Sequence, residues 1–157
     1  MNNRAYSDIA SEDAKQHLNN LLNNTHNVEA YRESMVALGG LLVSSFVENL
    51  NNQDECLLVS TAEDADYLLK GVADLLRSRS LTTKLAVFWN NHYQVPGTQQ
   101  SVAPIVQKFI EPGADRVKNI IIVKSVMSGS CVVRTNMLSL LSQVKTAENI
   151  FILAPVV

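Results

Sequence analysis

Two short stretches hold residues whose types and spacing could do chemistry. The first follows an apolar run, Ile120-Ile121-Ile122-Val123, and comprises Lys124, Ser125 and then Ser128-Gly129-Ser130-Cys131. A strand, a loop of small residues and a helix aim backbone N–H groups and a helix N-terminus at an anion, often a phosphate. Lys124 would add positive charge to such an anion site. The second stretch is Ser60-Thr61-Ala62-Glu63-Asp64, after the apolar run Cys56-Leu57-Leu58-Val59. Ser60 or Thr61 fits a helix N-cap, and the two carboxylates that follow suit the positive end of the helix dipole. Both stretches have plain readings as well. Lys124 is then a solvated loop lysine, Glu63 and Asp64 are ordinary first-turn carboxylates, and the Ser-Gly-Ser turn is empty, because short motifs match often by chance.

The remaining candidates are weaker. His17, His26 and His92 are scattered and form neither a metal-ligand pattern nor a triad. Phe88 and Trp89 end an apolar run and read as core. Cys56 and Cys131 lack metal spacing and read as buried thiols of a reducing compartment, which makes the cytoplasm the expected location. No metal site is expected.

The 157 residues leave room for a proper core. A hydrophobic fraction of 46 % with 18 % charged residues is that of an ordinary globular protein. The net charge of −2 comes with no Lys/Arg cluster, so nucleic acid is not an expected partner. No apolar run reaches the length of a membrane span, and Met1 to Lys15 lacks the apolar centre of a signal peptide.

Alternating strand and helix signals position the two stretches. Residues 1–10 are polar and expected to be loosely ordered. Ser11 caps a predicted helix running to about Leu22, and asparagines at 19–27 mark a loop. Tyr31, Met35, Leu38, Leu42, Phe46 and Leu50 form one stripe of a predicted helix over 28–50. Gly39-Gly40 in its middle costs about 1 kcal/mol per glycine, which close packing against another backbone, the sheet or a partner subunit, would compensate. Strands are predicted at 56–59, 85–89, 119–123 and 149–154, and helices at 60–78 and from the Ser-Gly-Ser loop to about Val144. Pro104 makes 102–110 an edge strand or an extended arm. This alternation implies a three-layer α/β domain over 1–157, with a mostly parallel sheet, helices on its faces and residues 1–24 as an N-terminal helical extension. Ligands bind such sheets at the carboxyl ends of the strands: Ser60-Thr61, Asn90-Asn91, Lys124 to Ser130 and Ala154 to Val157.

The order of these features resembles the phosphoribosyltransferases of the type I fold, and among them the uracil phosphoribosyltransferases. The resemblance runs from about residue 25 to the end. It is carried by Tyr31-Arg32 and Gly40-Leu41-Leu42, the strand, loop and helix from Leu57 to Leu76, the third strand and extended arm at 85–110, the strand and loop at 120–130, and the ending from Ile152 to Pro155. It implies that Ser60, Thr61, Glu63 and Asp64 stand at the pyrophosphate loop. Lys124, Ser125, Ser128, Gly129, Ser130 and Cys131 stand at the loop for the phosphoribosyl group. It further implies an arm that pairs two subunits.

Departures from the family pattern fall on the substrate positions. Lys124 and Ser125 stand where the family places an acidic residue for the ribose hydroxyls, and a lysine accepts no hydrogen bond. Glu63 and Asp64 stand near the arginine of the pyrophosphate loop, where carboxylates repel pyrophosphate. Asn90 replaces a further arginine, and the uracil-recognising segment would lie beyond Val157. The expected function is therefore a non-catalytic protein of this fold, acting through protein interfaces as a homodimer or beside a related subunit, without cofactor. Two alternatives remain. One is a divergent transferase using magnesium, phosphoribosyl pyrophosphate and a nucleobase. The other is a sensor that binds a small phosphate ligand.

Overall fold

A computed structural model describes residues 5–51 and 53–157. Of the loosely ordered segment expected at 1–10, residues 1–4 lie outside the described residues, as does Asn52 of the turn after the second helix. Helix α1 (Glu12–Asn23) starts where Ser11 accepts a hydrogen bond from the Ala14 N–H at 3.1 Å. It lays Ala14, Leu18 and Leu21 on the core. Helix α2 (Val28–Ser44) is capped by Asn27, whose Oδ1 accepts from the Ala30 N–H at 3.1 Å.

Helix α2 ends six residues before the predicted Leu50. The Ser44 and Ser45 hydroxyls donate to the Leu41 and Leu42 carbonyls at 2.7 and 2.9 Å. Such bonds compete with the helical ladder. The chain tightens into a 3-10 turn at Val47–Asn49. The backbone that packs against Gly39 is neither the sheet nor a second subunit but that of the helix over Leu68–Ser78.

Strand β1 (Cys56–Thr61) is buried along its whole length. The single helix predicted over 60–78 is two: α3 (Ala62–Ala65) and α4 (Leu68–Ser78). The break falls at Asp66-Tyr67, where tertiary contacts override helix propensity. The Tyr67 hydroxyl accepts from Arg32 Nε at 3.0 Å, and its ring meets Tyr31 edge-on at 6.3 Å. Thr61 does not cap α3 through its side chain.

Then come β2 (Thr83–Asn90), a small hairpin of β3 (Tyr93–Gln94) and β4 (Ser101–Val102), β5 (Ile105–Ile110), β6 (Asn119–Val123), α5 (Cys131–Leu141) and β7 (Asn149–Leu153). The main sheet has the order β5-β2-β1-β6-β7. All neighbours are parallel except β5, which runs antiparallel at one edge beside β2. The expected three-layer α/β architecture with a mostly parallel sheet and N-terminal helices is thus present. The proline-marked segment is an edge strand with a bulge opposite Trp89 and Asn90.

The sheet separates two apolar clusters. On one face Cys56, Leu58, Ile121 and Val123 pack under α2 and α4. On the other Leu57, Val59, Ile120 and Ile122 pack under α5 with Val133 and Leu140. From β1 the chain moves outward to β2, then crosses back to β6 on the other side of β1. The carboxyl ends of β1 and β6 therefore form the topological switch point, where open α/β sheets leave a crevice.

Candidate functional site

The crevice at that switch point is a cleft of about 330 Å³, open to solvent. Thr61 ends β1 on the α5 face, and α3 turns Glu63 and Asp64 back over the strand end. Lys124 follows β6 directly and points at the same place. Lys124 Nζ lies 2.7 Å from Asp64 Oδ2 and 3.3 Å from Glu63 Oε2. The Thr61 hydroxyl is 3.0 Å from Asp64 Oδ2 and 3.1 Å from Glu63 Oε2. Asp64 is 3 % exposed and the Lys124 side chain 16 %, whereas Glu63 is 75 % exposed. The two sequence stretches thus form one ionic cluster, with one ammonium, two carboxylates and one hydroxyl.

Opposing influences act on Lys124. Burial, the largest single one, pulls its pKa down, but hydrogen bonds and charge from Asp64 and then Glu63 outweigh it, and the net shift is upward. The ammonium is therefore charged at neutral pH and already neutralised from within the chain. It is neither a solvated loop lysine nor a cation without partners.

The other sequence-derived residues divide. Ser128, Gly129 and Cys131 line the cleft with Lys124, Thr61 and Glu63. Ser130 is the N-cap residue of α5 but makes no side-chain cap bond, and Ser125 is half-buried outside the lining. A Cβ placed on Gly129 would meet nothing within 4 Å, so the loop is open. Ser60 remains inside β1. Its place in the strand alternation turns it to the α2/α4 face, away from the cleft, and its Oγ is buried without a partner among the described residues.

The structure adds an amide pair. Asn90, at the end of β2, donates from Nδ2 to Asn136 Oδ1 at 2.8 Å and accepts from Asn136 Nδ2 at 3.0 Å. A second Asn90 bond goes to the Ala103 carbonyl at 2.9 Å, which ties β2, α5 and the segment after the hairpin together at the wall of the cleft. Asn136 is 4 % exposed. The sequence carried a signal for it: a polar residue between Val133 and Leu140 on the inward stripe of a helix needs a partner.

The cysteines differ in environment. Cys56 is wholly buried, and burial foremost, helped by the charge of Asp54 and opposed by a hydrogen bond with Asn119, pushes its thiol up to about 11. Cys131 is half-buried at the cleft wall. The native chain is expected to take up one equivalent of a thiol reagent, at Cys131, and the second only on unfolding. Equal rates at both, read by mass spectrometry of peptides, would contradict this geometry.

Among the described residues, no group of His, Cys, Asp and Glu is arranged to hold a metal ion, and no helix is long and apolar enough to cross a membrane. Magnesium on a bound pyrophosphate fits the cleft poorly. Asp64 is committed to Lys124, which leaves Glu63 as the exposed carboxylate of the cluster.

No family model matches the chain, and no curated protein matches it. Solved structures do. The hypoxanthine-guanine phosphoribosyltransferase of L. donovani aligns with a TM-score of 0.57 at 13 % identity over 78 % of this chain and 67 % of that one. The hypoxanthine phosphoribosyltransferase of Staphylococcus aureus gives 0.56 at 10 % identity, over 78 % and 62 %. A hypoxanthine-guanine phosphoribosyltransferase of Bacillus anthracis gives 0.55 at 10 % identity, over 78 % and 66 %. The chain thus spans about two thirds of the length of these enzymes or less. At such identities the likeness is one of fold. The fold is that of the phosphoribosyltransferases, and these neighbours add nothing to the uracil-specific resemblance.

Proposed function

We propose that this chain keeps a phosphoribosyltransferase fold without transferring phosphoribose, and that it acts through protein interfaces, as a homodimer or beside a related subunit. The observation that carries this reading is the closed ionic cluster at the switch point. Phosphoribosyl pyrophosphate asks for positive charge at its pyrophosphate and for acceptors at its ribose hydroxyls. Here the β1 end offers Glu63 and Asp64, and the β6 end offers an ammonium already held by them. The cluster sums to −1 at neutral pH, which opposes a polyanion entering a cleft partly screened from water.

Thermal unfolding with millimolar phosphoribosyl pyrophosphate and magnesium tests the reading, together with release of pyrophosphate in the presence of uracil, hypoxanthine or guanine. A ligand at a hundred times its dissociation constant adds about 2.7 kcal/mol, which raises Tm by several degrees. The expected result is no shift and no pyrophosphate. Turnover of any of the three bases would overturn the proposal and restore the divergent transferase.

A second reading rests on α5. Its eleven residues begin at Cys131, after an N-cap residue, Ser130, that makes no side-chain cap bond, beside Ser128 and Gly129. The first N–H groups of a helix have no intrahelical partner and favour an anion. A Tm rise with sulfate, phosphate or pyrophosphate, without turnover, would favour this phosphate-sensing reading over the interface protein.

A further inference from the structure

Two features of the surface fit one another, a knob and a hole. The knob lies ahead of α1. Tyr6 ties this segment to the helix: its hydroxyl donates to Asn19 Oδ1 at 2.9 Å, and its ring centre is 5.7 Å from the Lys15 ammonium. Beyond Tyr6 the chain makes a tight turn, in which the Ala10 N–H donates to the Ser7 carbonyl at 3.0 Å. Asp8 and Ile9 stand at its tip, and Ile9 is 93 % exposed. A single exposed apolar side chain is ordinary, but this one is held out by a closed turn among acids. Glu12 and Asp13 follow in the first turn of α1, and there is no cation between Ala5 and Asp13.

The hole is a cavity of about 200 Å³ between α4 and β2, on the sheet face that α4 covers. Leu58, Leu69 and Ala73, all buried, and the half-buried Leu85 give it an apolar inner wall. Lys70, Arg77, Lys84 and Glu111 also line it. Arg116 stands beside them: Lys84 Nζ and an Arg116 guanidinium nitrogen lie 3.3 and 3.6 Å from the place of a Cβ on Gly113. Lys70 is paired with Asp74, and Lys84 lies 4.0 Å from Glu111. Arg77 and Arg116 form no ion pair among the described residues, which leaves positive charge at this opening in a chain of net charge −2.

We infer that Ile9 of one copy of this chain seats in this cavity of a second copy, with Asp8 against Arg77 and the carboxylates of Glu12 and Asp13 on the same basic rim. The cavity is smaller than the about 300–1,000 Å³ of small-molecule pockets, and it suits one branched aliphatic side chain. An apolar anchor in a pocket supplies affinity at an interface, and opposite charges around it fix the register. Every copy carries both a knob and a hole. The contact is therefore made twice about a two-fold axis, closing a dimer, or repeats head to tail. It rests on the interface half of the function proposed above and supplies a surface for it.

Sedimentation of the whole chain from roughly 5 to 500 µM at low salt tests the contact, since association depends on protomer concentration and steering charges on ionic strength. The mass is expected to rise from 17.3 kDa to twice that value or beyond. Salt at about 0.5 M is expected to weaken the association about ten-fold. Ile9→Ser, Asp8→Lys and Arg77→Glu should each weaken it by about ten-fold or more, with far-UV circular dichroism unchanged, because all three positions are exposed. Mixing Asp8→Lys with Arg77→Glu is the decisive step. Each variant alone sets like charges together. In the mixture the new lysine meets the new glutamate, the native Asp8 meets the native Arg77, and the association should return. A wild type that stays monomeric throughout, an association indifferent to Ile9→Ser, or a mixture no better than its parts would overturn the inference. None of these readouts depends on ligand or turnover, so a monomer would strike this contact and leave the non-catalytic reading standing, and turnover would do the reverse.

Discussion

Gly39→Ala and Gly71→Ala are each expected to destabilise the fold by about 3 kcal/mol or more, which for a chain of this size lowers Tm by roughly 10 °C. The two glycines are where α2 and α4 cross. A Cβ on Gly39 would stand 2.1 Å from the Leu68 carbonyl oxygen, and one on Gly71 would stand 1.9 Å from that of Val36. Both obstacles are backbone, so no side-chain rotation relieves them and the helices must part. Parting them loosens Leu38, Leu68, Val72 and Leu76, all of which are buried in the same cluster. Gly40 supplies the control on the same helix. Its Cβ would meet only the Gly71 carbonyl oxygen, at 3.9 Å, which is ordinary contact. Gly40→Ala should therefore raise stability by up to about 1 kcal/mol through helix propensity alone. Urea unfolding of the three variants decides the matter. Equal effects at 39 and 40 would mean that the crossing does not set the cost.

This pair of glycines also shows what was legible beforehand. A double glycine inside an amphipathic helix demands a close backbone neighbour, and the sequence said so, but it did not say whose. The neighbour is set by the crossing of α2 over α4, which is tertiary. The strands were readable for a related reason. Ile120 to Val123 and Leu57 to Val59 are unbroken apolar runs because both faces of a central parallel strand are covered. Pro104 likewise marked the β5 edge. Helix ends were less legible. Serine back-bonds stop α2 at Ser44, and Tyr67, held by Arg32, divides α3 from α4.

The site was legible as residues and not as an arrangement. Glu63, Asp64 and Lys124 were each recognisable as departures from the resembled pattern. Lys124 is sixty or more positions from both carboxylates in the chain, and local periodicity carries no information about such a pairing. Set against the resembled pattern the signs are exchanged as a pair: the end of β6 carries the ammonium, and the end of β1 carries the carboxylates that hold it. The partnership of Asn90 with Asn136 was hidden in the same way, although Asn136 alone was out of place on an apolar stripe. A charge change at one strand end is thus interpretable only with its counterpart across the switch point.

That coupling makes Lys124→Met the second large effect expected. Removing the ammonium leaves Asp64 buried against Thr61 without a counter-charge. Breaking a buried pair from one side costs about 3–5 kcal/mol, whereas replacing both partners by apolar groups is often close to neutral. Lys124→Met should therefore be strongly destabilised, and the double variant Lys124→Met/Asp64→Leu should recover most of the loss. Glu63→Gln should change stability by less than about 1 kcal/mol, since that partner is largely solvated. The pH dependence has a definite sign. The folded state raises the pKa of Lys124, so the pairing contributes fully below the unfolded lysine value of about 10.4 and is lost as pH rises through the folded value. The stability difference between wild type and Lys124→Met should be constant through neutral pH and shrink only above about pH 10. A difference that vanished near pH 7, or a double variant no better than the single one, would show that Lys124 and Asp64 do not form a buried pair at this cleft.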